Sequence, residues 1–240
     1  MTRYSGEGGR ERIRSRKGVE FLRRGAEQYA QDNGFAIPDV DFSDVVADPV
    51  LGRQIATAYD TAPYFDPLAH QAYNAFCTET ALQFYFLTSA PEEGGLGVKV
   101  KGSRSDPYHD ADSKIPDIDW MIGDLRNRQL TILACLEASD LNMMGPEANI
   151  MFRAVHDAFG HAATGCGFDP DGEEAAWYAH SHLYTPLARQ ALTTETRGQQ
   201  NALLYDSGEG FPLQKFCLLP IRFAMLDTVT LHTTKPQREC

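Results

Sequence analysis

Apolar residues recur at helical spacing along most of the chain, with one interruption in the middle. Residues 10–31 predict a helix ending at Gly34, with Val19, Phe21, Leu22 and Ala26 on its apolar side. Asp48-Pro49 opens a second helix through about Tyr59, and Asp66-Pro67 a longer one through about Leu87. In both, Asp as N-cap and Pro at the first helical position are start signals. The texture then changes. Glu92 to Gly97 is turn-rich, Val98-Lys99-Val100 predicts a short strand, and Gly102 to Asp119 is polar. Leu130 to Cys135 is an apolar run of strand length. Helices return over about 147–159 and 172–193, and then in a stretch that includes Glu195 to Tyr205. Between Phe216 and Leu231, Val229 and its threonine neighbours favour a terminal strand. The expected fold is mainly α with a small central or terminal β-sheet, an α+β single compact domain. Residues 1–34 form a basic N-terminal helix or arm and residues 35–240 one helical domain.

Composition narrows the function classes. The 240 residues are 42% hydrophobic and 23% charged, the balance of a globular protein. Lys and Arg total 22 against 33 Asp and Glu, a net charge of -11, which does not suit a surface that coats nucleic acid or anionic membrane. The charge is uneven. Residues 1–24 hold eight basic side chains and three acids, so contact with nucleic acid is expected only through this basic segment. The longest apolar stretch, Phe216 to Leu226, contains Pro220 and Arg222 and falls far short of the roughly 20 residues of a span. No apolar segment follows the N-terminal arginines, and the five cysteines form no C-x-x-C pair. A cytoplasmic protein with reduced thiols and no membrane partner is expected.

The chemistry concentrates in Phe152-Arg153-Ala154-Val155-His156-Asp157-Ala158-Phe159-Gly160-His161. On a regular helix, residues five apart point about 140° away from each other, so His156 and His161 cannot reach one ion. Gly160 relieves this by letting the helix end, bend or take a π-type bulge before the second histidine. Two imidazoles make an incomplete site for iron or zinc, and a carboxylate is needed. Glu173 and Glu174 open the next helix, where acids complement the dipole and need no further reason. Glu195 stands near an expected helix end, where an acid is unfavourable, so a site demand accounts for it. Glu195 is the expected third ligand, with Glu174 as the alternative. Asp157 and His180 are candidate catalytic groups beside the metal, His180 also as a fourth ligand.

The run His156-Asp157-Ala158-Phe159-Gly160-His161 resembles the iron-binding segment of the pterin-dependent aromatic amino acid hydroxylases. In that family a His-Asp/Glu-x-x-Gly-His segment supplies two ligands, and a Glu within a later Thr-x-Glu supplies the third. Thr193-Thr194-Glu195 stands in a comparable place, 34 residues beyond His161 and somewhat closer than in the family. The resemblance covers about residues 140–200; the family's substrate-binding and pterin-binding segments are not recognisable upstream. The overall pattern is also similar to small phage-type proteins. The resemblance implies a non-haem iron(II) oxygenase or hydroxylase acting on a small molecule. Its metal set would be His156, His161 and Glu195, with Asp157 orienting His161 and pterin as the family's co-substrate. Phe152, Phe159, Trp177 and Tyr184 would wall the site.

Three rivals compete. His156-Asp157 also satisfies the dyad of the helical HD-type metal phosphohydrolases, with zinc or manganese as the ion. That reading recruits His70 or His109 and Asp206 or Asp227, and leaves Gly160 and His161 without a role. A dinuclear carboxylate site would recruit Glu79, Glu174 or His180, although the Glu-x-x-His repeat of such sites is missing. A non-enzymatic scaffold would dock through the basic N-terminal helix.

Overall fold

The computed structural model describes residues 17–105, 107–108, 118–133, 144–205 and 212–232. The architecture is mainly α with two small sheets in one domain. α1 (Glu20–Asp32) carries Leu22, Ala26, Tyr29 and Ala30 on its buried side. That side packs into the same apolar core as Phe159 and Ala162, and Val19 donates its backbone N–H to Ala162 O. α2 (Pro49–Thr61) begins as expected, with Asp48 accepting from the backbone N–H groups of Val50 and Leu51. Asp66-Pro67 caps a short 3-10 turn that runs on into α3 (His70–Thr88).

β2 (Lys99–Ser103) and β3 (Gln129–Leu133) pair in parallel, Lys99 opposite Gln129 and Ser103 opposite Leu133. Parallel neighbours need a crossover, and α4 (Ile118–Arg126) lies in the connection, burying Met121, Ile122 and Leu125. β1 (Val45–Val46) pairs antiparallel with β4 (Thr230–Leu231), so the expected terminal strand exists but forms a second sheet away from the first.

α5 (Pro146–Val155) runs directly into a π-helix, His156–Ala162. The helix expected over 172–193 is two: α6 (Pro170–Ser181) and α7 (Pro186–Thr193). The break follows from chemistry already present. Pro186 disfavours helical backbone at Thr185, which caps α7 by accepting from Ala188 N–H. α7 continues without a stop through a second π-helix, Thr194–Gly198, into α8 (Gln199–Tyr205). The first π-helix lies between two apolar cores: Phe159 and Ala162 belong to the α1/α4 core, and Phe152 just before it to a core with Tyr73, Phe76, Trp177 and Tyr184. A third cluster, Ile55, Tyr59, Ala202, Leu219 and Phe223, joins α2 to α8. Among the described residues no helix is long and apolar enough to cross a membrane.

Candidate metal centre

The π-helix is what aligns the two histidines. Its i→i+5 bonding, seen in Ala163 N–H to Ala158 O at 2.9 Å, stacks residues five apart on one face. The His156 and His161 rings meet edge to face with centroids 5.0 Å apart. Gly160 permits this for a reason of space. A Cβ there would stand 3.1 Å from Ala176 O and 3.2 Å from His156 Nδ1, so any other residue would push α6 or the imidazole back by a few tenths of an ångström. Both rings are buried, His161 at 2% exposure.

Hydrogen bonds set which nitrogen each ring offers. A backbone carbonyl only accepts, so His161 Nδ1 donates to Cys166 O (3.2 Å) and its Nε2 keeps a free lone pair. For His156 the logic runs through three side chains. Gln83 Nε2 donates to Leu183 O (3.1 Å), leaving Gln83 Oε1 as the acceptor for His180 Nε2–H (2.8 Å). His180 Nδ1 then has no proton and accepts from His156 Nδ1–H at 3.1 Å. His156 Nε2 is left as a lone-pair donor, like that of His161. His180 is therefore a partner of His156 rather than a fourth ligand.

The carboxylate that joins them is Glu173. The ligand atoms of His156, His161 and Glu173 all lie within 4.8 Å of one another, and His161 Nε2 is 3.7 Å from Glu173 Oε2. Ligand atoms about 2.1 Å from one ion at neighbouring positions stand roughly 3.0–3.4 Å apart, so closing separations of up to 4.8 Å takes a shift of roughly 1–2 Å. Glu173 is placed by the start of α6, where Asp169 caps the helix through Gly172 N–H (3.1 Å). Gly172 presses on Gly167, whose carbonyl oxygen would lie 2.1 Å from any Cβ at that position.

The electrostatics suit a cation. Burial holds His156 well below the usual imidazole range, reinforced by His161 and His180. Burial likewise brings His161 down to about 4 and His180 to about 3. All three stay neutral, the form in which imidazole ligates. Glu173 is pushed up to about 8 by burial and by the charges of Asp157 and Asp169. Among the described residues its carboxylate accepts no hydrogen bond, and a divalent ion would supply the missing positive charge. The donor set therefore fits a metal. Phe168 packs on His161 at 4.6 Å, Phe152 stacks on His156 at 5.6 Å, and Tyr184 meets His180 edge-on at 5.0 Å.

Glu195, the carboxylate expected from sequence, is elsewhere. Its oxygens accept from Tyr73 Oη (2.6 Å), Gln199 Nε2 (3.1 Å) and Gln214 Nε2, a buried knot joining α3, α8 and the chain around Gln214. The premise for choosing it fails because no helix ends there: α7 runs on to α8. Glu174, the alternative, forms a bidentate pair with Arg197 over the Trp177 ring. Phe159 and Trp177 are core residues, with Phe159 against Phe86 and Trp177 under Arg197. Asp157 stands outside the three-residue group but close enough for its charge to act on Glu173. The sequence signal for Glu173 was present in its position beside a helix start, and was masked because dipole complementarity explains any acid there.

The rival arrangements do not assemble among the described residues. His70 packs against Phe65 and Phe216, and the gathered group includes neither His70 nor Asp227. His109 and Asp206 lie outside the described residues. Glu79 accepts from the N–H and Oγ1 of Thr185, the residue that caps α7, and Glu79, Glu174 and His180 form no common site among the described residues. Of the basic segment, Arg23 and Arg24 pair with Glu20 and Glu27, while residues 1–16 lie outside the described part. Comparison with protein-family models, curated proteins and solved structures finds no match to this chain.

Proposed function

We propose that this protein is a non-haem iron(II)-dependent oxygenase or hydroxylase whose metal is held by His156, His161 and Glu173. The observation that carries the reading is the convergence of two buried imidazoles and one half-buried carboxylate, with ligand atoms within 4.8 Å of one another, at an aromatic-walled site. Two imidazoles and a carboxylate are the ligand set of non-haem iron(II) oxygenases, and iron so held keeps open positions where oxygen and a substrate meet. The protein's own groups do the rest. Cys166 O and the His180–Gln83 pair hold protons on the two Nδ1 atoms, so that each ring keeps its Nε2 lone pair for a metal. Phe152 and Phe168 cover the imidazoles and keep water from their outer faces. The resemblance of residues 156–161 to the hydroxylase segment agrees with this set in its two histidines and differs in the carboxylate.

Metal analysis of the full-length protein purified without oxygen tests the reading. Iron in one-to-one ratio with the chain is expected. It should be lost in His161→Ala and Glu173→Ala and kept in Glu195→Gln. Stoichiometric zinc or manganese with phosphoesterase turnover would overturn it.

A further inference from the structure

Glu173 has a second environment. It also lines a cavity of about 210 Å³ between α2, the start of α6 and α8. That volume corresponds to roughly seven waters of bulk liquid, enough for a compact organic molecule. The walls are largely aliphatic, with Leu51 and Ile55 from α2, Leu203 and Leu204 from α8, and Phe168 from the loop before α6. An apolar body fits such a surface.

Beside the neutral amides Gln200 and Asn201, the charged lining is mostly acidic. Asp48, Glu173 and Glu174 contribute carboxylates, and Asp171 lies near enough to raise Glu174 further. The one cation lining the cavity among the described residues is Arg197, and it is committed. Its Nε and Nη2 go to Glu174, its Nη1 to Phe223 O (2.7 Å) and Thr228 Oγ1 (2.9 Å), and its Cζ lies 4.0 Å from the Trp177 ring centroid. Arg53 is exposed and lies over Tyr205, off the lining. Asp48 uses Oδ1 for both bonds that cap α2, which leaves Oδ2 for another donor. An entering phosphate or carboxylate would meet these acids with no uncommitted cationic side chain in the described lining, whereas an ammonium group would be matched at Asp48 Oδ2.

We infer that this cavity is the substrate pocket of the metal centre and takes a small amine on a compact aliphatic body, its ammonium group directed to Asp48. That the occupant is a substrate rests on the oxygenase reading; its chemical class rests on the lining alone.

Ligand-observed NMR on the full-length protein, metal-free and loaded with Mn(II), compares cyclohexylmethylamine, cyclohexanecarboxylate and cyclohexyl phosphate. The amine should bind both forms, with the two anions at least about tenfold weaker. Its protons should relax faster in the Mn(II) form. Asp48→Asn retains a good N-cap and removes one charge, so it should weaken the amine by about fivefold. Leu51→Trp should fill the cavity and abolish binding. Equal binding of an anion, unchanged binding in Leu51→Trp, or no amine binding by a metal-replete protein overturns the inference. Amine binding by a protein that takes up no metal supports the pocket and sinks the oxygenase reading alone.

Discussion

His180 shows how much one side chain decides. It is fully buried, and burial alone would make it an unremarkable core histidine. Its two hydrogen bonds give it a task, because Gln83 on one side and His156 on the other leave a single consistent placement of protons. Replacing it with Phe removes the acceptor for His156 Nδ1–H while filling similar space. We expect His180→Phe to lower metal affinity by about 10–100-fold, the usual cost of losing a partner of a ligating histidine. The ¹⁵N shifts of His156 should move toward the Nε2–H tautomer in the metal-free protein. A variant that loses stability but keeps tautomer and affinity would make His180 a packing residue only.

At the scale of elements, the π-helix His156–Ala162 converts a sequence spacing into a site. On a regular α-helix the same residues would face apart. The spacing and Gly160 made some departure from the α-helix legible in the sequence, because two histidines five apart beside a glycine have few other ways to share an ion. The partner element was not legible. Which acid stands opposite depends on how α6 crosses the π-helix, and that contact is made by Ala176 against Gly160. Gly160→Ala places a methyl 3.1 Å from Ala176 O and 3.3 Å from Ala176 Cβ, so α6 and the His156 ring must both give way. A loss of about 1–3 kcal/mol in urea denaturation is expected, the range for overfilled cores. Chelator competition should also show weaker metal binding. Full affinity with the methyl in place would mean that the α6 crossing is not what sets the site.

For the molecule as a whole, the buried acids link stability to pH. Glu195 is 6% exposed and is pushed up to about 7, chiefly by burial, which the bonds from Tyr73, Gln214 and Gln199 only partly offset. The folded protein thus holds this proton more tightly than the unfolded chain, whose carboxyl titrates near 4.5. Any stability tied to the neutral acid is complete below pH 4.5, declines as pH rises from there to 7, and stays lost above. The total is on the order of 3 kcal/mol. Gln at this position carries no charge and can donate to Tyr73 while accepting from its neighbours. Melting curves of the metal-free protein should show Glu195→Gln gaining on the parent between pH 4.5 and 7, with a constant difference above. Since the histidines of the metal site titrate in both proteins, their effect cancels in the comparison. A difference that does not change across that window would show that Glu195 ionises freely.

The sequence by itself determined the helical character, the two capped starts at Asp48 and Asp66, the middle strands and the histidine pair. Each of these rests on neighbours along the chain: periodicity, a cap beside a proline, a spacing of five. The tertiary structure alone decided that Glu173 rather than Glu195 faces the imidazoles, that His180 orients His156, and that Arg197 is engaged by Glu174. Those outcomes depend on which helix faces cross, and acids at two helix positions look alike until packing buries one beside a lone pair and the other beside a tyrosine.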